Sequence, residues 1–150
     1  MSLTERIAQD MKAAMKAGDK LRLETLRSLR AGILEFEKTK AGNVPGEEDE
    51  IRILTAAAKR RREAIEQYRA AGRTDLADNE EKELAVISAY LPAQLSGDEL
   101  EALVDAAIAE SGATEMKDFG RVMGPLMKKL QGRADGGVVQ AMVRSKLGGG

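Results

Sequence analysis

Met116-Lys-Asp-Phe-Gly-Arg-Val-Met-Gly-Pro-Leu-Met-Lys-Lys-Leu-Gln-Gly-Arg-Ala-Asp135 is the stretch from which the rest of this 150-residue chain can be read. Phe119, Val122, Met123, Leu126, Met127 and Leu130 recur at steps of three and four, so they form one apolar stripe of a helix. Arg121, Lys128 and Lys129 fall outside that stripe, toward water. Pro125 removes a backbone donor and predicts a kink or a division of the helix. Gly132 offers a left-handed stop, and Asp135 a cap for the next helix. Between them Arg133 lies on a tight turn beside a fresh helix N-terminus, an arrangement suited to gripping an anion.

The same grammar of stripes, caps and stops extends in both directions. Downstream, a helix over 136–147 places Val138, Val139, Met142 and Val143 inward and then runs into a glycine tail. Upstream, Ser96 with Glu99 reads as a capping box opening a helix that carries Leu100, Leu103, Val104, Ala107 and Ile108, and Gly112 stops it. Pro92 marks a boundary. Before it come four more helices. The first opens at Ser2 and Glu5, buries Leu3, Ile7, Met11 and Met15, and ends at Gly18. Asp19 caps the second, whose stripe is Leu23, Leu26, Leu29, Ile33 and Phe36, and a loop follows over 41–46. Glu47, Glu48, Asp49 and Glu50 complement the dipole of the third, which carries Ile51, Leu54, Ala58, Ile65 and Tyr68 up to Gly72. Thr74 caps the fourth, with Leu76, Leu84, Ile87 and Leu91 on its buried side.

Nowhere does a period-two alternation run long enough to propose a strand. The expected fold is all-α: two small helical bundles, a four-helix N-terminal part over 1–92 and a three-helix C-terminal part over 93–150. The second spans about 55 residues, near the lower limit for a core that folds unaided.

Composition narrows the chemistry. Aromatic content is 3% with no Trp, so both cores must come from Leu, Ile, Val, Met and Ala. There is no Cys and no His, which excludes disulfides, thiolate nucleophiles, zinc centres and histidine bases. None of Ser2, Ser28, Ser88, Ser96, Ser111 and Ser145 sits in a glycine-rich nucleophile turn. Glu47 to Glu50 read as a solvated helix start rather than a metal site. No catalytic residue, metal or cofactor is expected. The chain lacks a charged-then-apolar signal pattern and any apolar run of the roughly 20 residues a membrane span needs. The expectation is a cytoplasmic protein with no membrane contact.

The net charge of -1 conceals a strong asymmetry. Six acids and no base lie over 93–116: Asp98, Glu99, Glu101, Asp105, Glu110 and Glu115. From residue 117 onward seven bases, Lys117, Arg121, Lys128, Lys129, Arg133, Arg144 and Lys146, face only Asp118 and Asp135. These seven are the candidate contacts to a phosphate backbone. Lys128 and Lys129 also suit a helix C-terminus, whereas Arg133 has no such structural excuse. With no Tyr or Trp nearby, base stacking is not expected. Lys59, Arg60, Arg61 and Arg62 make a secondary basic patch, but four consecutive helical residues point all round the helix, with Glu63 and Glu66 in pairing range. The phosphate reading requires the C-terminal cations to share one side and to be free of carboxylates.

The opening stretch also carries a resemblance. Met116-Lys-Asp-Phe-Gly-Arg-Val-Met-Gly124 and Lys129-Leu-Gln-Gly-Arg-Ala-Asp-Gly136 resemble the signature of the GatB/YqeY family. Met15-Lys-Ala-Gly-Asp-Lys20, Leu26-Arg-Ser-Leu-Arg30, Lys59-Arg-Arg-Arg-Glu63 and Ala89-Tyr-Leu-Pro-Ala-Gln-Leu95 are similar to its stand-alone, YqeY-like form. The family includes the tail of the B subunit of tRNA-dependent amidotransferases, and it carries a label of carbon–nitrogen ligation with glutamine as amido-N-donor. In the amidotransferase that chemistry is associated with a catalytic cradle and a partner amidase subunit, neither of which is present here. The resemblance therefore implies a separately recognisable small helical domain at the C-terminus and a non-catalytic accessory protein. Its partners would be tRNA and an amidotransferase or another translation-related protein. A helical protein–protein adaptor with no nucleic-acid ligand is the rival reading.

Overall fold

The computed structural model of the chain describes residues 1–39 and 44–148. Within them it is all-α, with no strand among the described residues. The helices are α1 (Leu3–Ala17), α2 (Lys20–Thr39), α3 (Glu47–Ala70), α4 (Thr74–Ser88), α5 (Gly97–Ser111), α6 (Phe119–Leu130) and α7 (Gly136–Leu147). Residues 41–43 of the expected loop, and Gly149 and Gly150 of the expected tail, lie outside the described residues.

Local chemistry explains most of the boundaries. The Ser2 and Ser96 hydroxyls accept the N–H groups of Glu5 and Glu99, each at 3.1 Å, satisfying donors that a helix start leaves without partners. Glu99 reaches back to the Ser96 N–H and completes a capping box. Asp19 caps α2 through the Arg22 N–H at 3.2 Å. At the other ends, Gly18 and Gly112 stop α1 and α5 at φ of 71° and 70°, conformations that glycine adopts without strain.

Several details depart from the pattern. Met15 is 59% exposed, although it continues the i+4 series of α1. At 3.6 residues per turn, twelve residues of strict i+4 steps rotate about 120° away from Leu3, whereas Ala14 returns to the buried side. Val138 is 51% exposed because the buried stripe of α7 is Val139, Val143 and Leu147. Met116–Asp118 form a 3-10 turn, so α6 proper begins at Phe119, and Pro125 leaves it undivided. Thr74 is the first residue of α4 and Arg73 holds its cap position, with no side-chain cap bond. Asp135 likewise occupies the cap position of α7 without a side-chain cap bond.

The chain divides into two compact units, Met1–Leu91 and Pro92–Gly150. In the first, α1 to α4 enclose Leu3, Ile7, Leu26, Leu29, Ile33, Leu54 and Ile87. In the second, α5, α6 and α7 enclose Leu100, Val104, Val122, Leu126, Leu130, Val139 and Val143. Both cores are mainly aliphatic, and the first also holds the Tyr90 ring.

Candidate functional site

The C-terminal unit holds the seven candidate cations, and most have local partners. Asp118 organises the entry to α6: its Oδ2 accepts the N–H of Thr114 at 3.0 Å and that of Glu115 at 3.4 Å. The Thr114 N–H foremost, with Arg121 and Lys117 adding to it, holds the Asp118 carboxyl below the usual carboxylate range. Arg121 lies 3.2 Å from Asp118, and Lys117 lies 3.0 Å from Glu115. On α7, Lys146 bridges Asp105 at 2.8 Å and Glu101 at 3.0 Å, both on α5. These hydrogen bonds, the one to Asp105 foremost, raise its ammonium pKa. Arg144 stacks its guanidinium over the Phe119 ring, 5.0 Å from the centroid. Lys129 faces Glu110 at 3.7 Å, and Lys128 has no ion-pair partner among the described residues.

Arg133 is exposed and lies in a clasp between two segments. Gln131 and Gly132 both adopt positive φ, 46° and 78°, and turn the chain sharply after α6. The turn then meets the segment that precedes α5. The Leu95 N–H donates to the Arg133 carbonyl at 2.8 Å, and the Gln94 amide donates to the Gly132 carbonyl at 2.9 Å. The Arg133 Nε–H returns to the Ala93 carbonyl at 3.3 Å. Both partners of the clasp carry marked sequence, Pro92-Ala-Gln-Leu95 and Gln131-Gly-Arg133, but nothing in their spacing signals that they meet.

What the structure does bring together is Arg121, Lys128 and Lys129. They surround a hollow of about 690 Å³ between α5 and α6, with Glu110 on the same rim. Its apolar lining is Ala107, Val122, Pro125 and Leu126. Lys117, Arg133, Arg144 and Lys146 do not line it. Sequence reading singled out the cations but not the hollow, which depends on how α5 and α6 pack.

In the N-terminal unit, Lys59 and Arg60 are exposed while Arg61 and Arg62 are half-buried, as the helical spread of four consecutive residues requires. Arg61 donates to the Ser28 hydroxyl at 3.4 Å, and its Nε is buried without a hydrogen-bond partner. Arg62 is also engaged. Close by, burial foremost and then Glu80 push the Glu83 carboxyl up, with Arg61 opposing them. The patch is therefore partly internal.

No group of three or more acidic side chains arranged to hold a metal occurs among the described residues. Ser2 and Ser96 are helix caps, and Ser111 donates to the Ile108 carbonyl at 2.9 Å. No described helix is long and apolar enough to cross a membrane.

A profile of the "Yqey-like protein" family matches residues 4–147. A protein of Pyrenophora tritici-repentis named "Altered inheritance of mitochondria protein 41, mitochondrial" is 32% identical over 133 residues, covering 86% of this chain and 71% of the relative. A protein of Eremothecium gossypii with the same name is 32% identical over 149 residues, covering 94% of this chain and 78% of the relative. A relative from Lachancea thermotolerans, again so named, is 35% identical over 89 residues, 57% of this chain and 46% of its own length. These names overturn the expectation of a cytoplasmic protein. That expectation rested on missing signals, and missing signals do not distinguish one aqueous compartment from another.

Proposed function

The chain belongs to the YqeY-like protein family, and from that premise we propose a non-catalytic helical adaptor whose C-terminal unit holds an acidic partner protein. The observation that carries the reading is the hollow between α5 and α6, an aliphatic recess with Arg121, Lys128 and Lys129 around it. The absence of Cys and His from the sequence, and the use of Ser2, Ser96 and Ser111 as local hydrogen-bonding groups, support a role without covalent chemistry.

A second reading keeps the adaptor non-catalytic and makes tRNA the partner. It is favoured by the gathering of three cations at one place and by the resemblance to the amidotransferase tail. The pair of Lys129 with Glu110 is solvent-exposed and loose at 3.7 Å, so a phosphate can replace that carboxylate. Against it stands the engagement of Lys117, Arg133, Arg144 and Lys146 elsewhere.

One experiment separates the two. The full chain is used to capture partners from cells, with and without nuclease, and is titrated with bulk tRNA at several salt concentrations. The protein reading expects retention of a partner after nuclease and a flat tRNA response. The tRNA reading expects loss after nuclease and a slope of log K against log salt of about -2 to -3, for roughly three phosphates. Neither capture nor tRNA binding would overturn both.

A further inference from the structure

We propose that the hollow between α5 and α6 is a docking groove for a short acidic amphipathic helix of a partner protein. Its aliphatic side chains lie on Pro125 and Ala107, and its carboxylates face Arg121, Lys128 and Lys129. The proposal rests on the protein-adaptor reading and names the chemistry of the partner.

Spacing carries the argument. Arg121, Pro125 and Lys128 stand at i, i+4 and i+7 on α6, which is one stripe of a helix, and all three line the hollow. The stripe reads cation, apolar ring, cation, with the charges about 10 Å apart along the axis. A helix laid alongside matches it with a carboxylate, an aliphatic residue one turn on, and a second carboxylate at i+7. Lys129 on the rim adds a third positive contact.

The lining suits an aliphatic side chain better than a nucleobase. Pro125 is exposed and Ala107 half-buried, so they form the accessible floor, backed by Val122 and Leu126 at 1% exposure each. The aliphatic stems of Arg121, Lys128 and Lys129 extend this apolar surface. No aromatic ring lines the hollow, so a base finds nothing to stack on, while a leucine side chain finds Ala107 and Pro125, with Ser111 the one uncharged polar residue of the lining. The volume of about 690 Å³ falls in the range of natural ligand recesses.

Charge and backbone agree. Of the three cations, Arg121 is paired with Asp118 at 3.2 Å and Lys129 only loosely with Glu110 at 3.7 Å. Lys128 has no ion pair to give up. Pro125 has no N–H, so the carbonyl of Arg121 lacks its i+4 helix donor.

The test titrates isotope-labelled full-length chain with synthetic helical peptides of about 16 residues. The parent peptide carries Glu at i and i+7 and Leu at i+3 and i+4. One control replaces both Leu with Ser, another both Glu with Gln, and a third probe is a single-stranded RNA of equal length. The expected result is parent binding in the tens of micromolar, with resonance shifts centred on Ala107, Arg121, Leu126 and Lys128. Either peptide change should weaken it at least tenfold. Lys128→Glu should do the same and be rescued by a peptide with Lys in place of Glu. Ala107→Leu should weaken binding with the charge unchanged, helicity being verified for both variants. Failure of the parent to bind at millimolar concentration, equal binding by all peptides, or occupation of the groove by RNA alone overturns the proposal. If a nuclease-resistant partner is retained equally by wild type, Lys128→Glu and Ala107→Leu, the groove is wrong and the adaptor reading stands. Loss of all such capture overturns the adaptor reading itself.

Discussion

Tyr90 shows how much of the N-terminal unit turns on single polar contacts. It follows α4, is 8% exposed, donates its hydroxyl to the Asp10 carboxylate on α1, and carries the Arg6 guanidinium 5.0 Å from its ring centroid. Burial foremost, then the hydrogen bond to Asp10, pushes the phenol up to about 12 from its ordinary 10. The folded state thus holds the proton more tightly than the unfolded chain. The stability this contributes is whole below pH 10 and is lost as pH rises toward 12. Alkaline melts should show that loss in the wild type, and Tyr90→Phe should remove its Tyr90-dependent part. At neutral pH the same substitution should cost about 1.5–3 kcal/mol, the worth of a hydrogen bond to a charged acceptor, since the ring is kept. An unchanged alkaline profile in Tyr90→Phe would show that Tyr90 does not carry it. The sequence gives no warning of this pair, because 80 positions separate its members. Arg133 teaches the same lesson in reverse. Its position on a turn was legible, but its partner Ala93, 40 residues upstream, was not.

At the level of the helix, sequence reading fares better because the forces are short-ranged. Ser96 and Glu99 announce α5 three residues apart, and the reciprocal bonds at 3.1 Å are those expected of the pair. Those bonds, the backbone N–H of Ser96 first, hold the Glu99 carboxyl below its ordinary range. Its contribution is therefore present above the unfolded carboxylate pKa and lost as pH falls through the lower folded value. Ser96→Ala should cost about 1 kcal/mol in denaturant unfolding and shrink the acid dependence of the C-terminal unit. Equal acid dependence in the two proteins would mean that the Ser96 hydroxyl contributes nothing to it. Helical period also fixed the stripes, with errors where a strict i+4 series drifts, as at Met15, or where the stripe is one residue off, as at Val138. The hollow lay beyond reach. Its residues come from α5 and α6, and only the packing of one helix on another sets Ala107 beside Pro125.

For the whole molecule, the division at Leu91 and Pro92 raises a thermodynamic question, because the two units differ in what they can bury. The first draws on α1 to α4, with Leu3, Ile7, Leu26, Leu29, Ile33 and Ile87 nearly removed from water. The second has three short helices of 15, 12 and 12 residues and no buried aromatic ring among the described residues. A chain of about 60 residues hides only some 60% of its unfolded surface, so its stability must lie toward the low end of the usual range. Its internal supports are local: the Ser96 cap, the clasp of the 131–133 turn on 92–95, and the bridges of Lys146 to Glu101 and Asp105. The bridges lie on the surface and contribute little. We propose that each unit is a folding domain in its own right, and that the second is the weaker. Separate expression of residues 1–91 and 92–150 should give two helical fragments by circular dichroism. The first should melt cooperatively, and the second at lower temperature with a shallower transition that high salt hardly moves. A fragment 92–150 that stays unstructured, yet becomes helical when the 1–91 fragment is added, would show that the C-terminal helices need the other unit to fold and would end the proposal of independence.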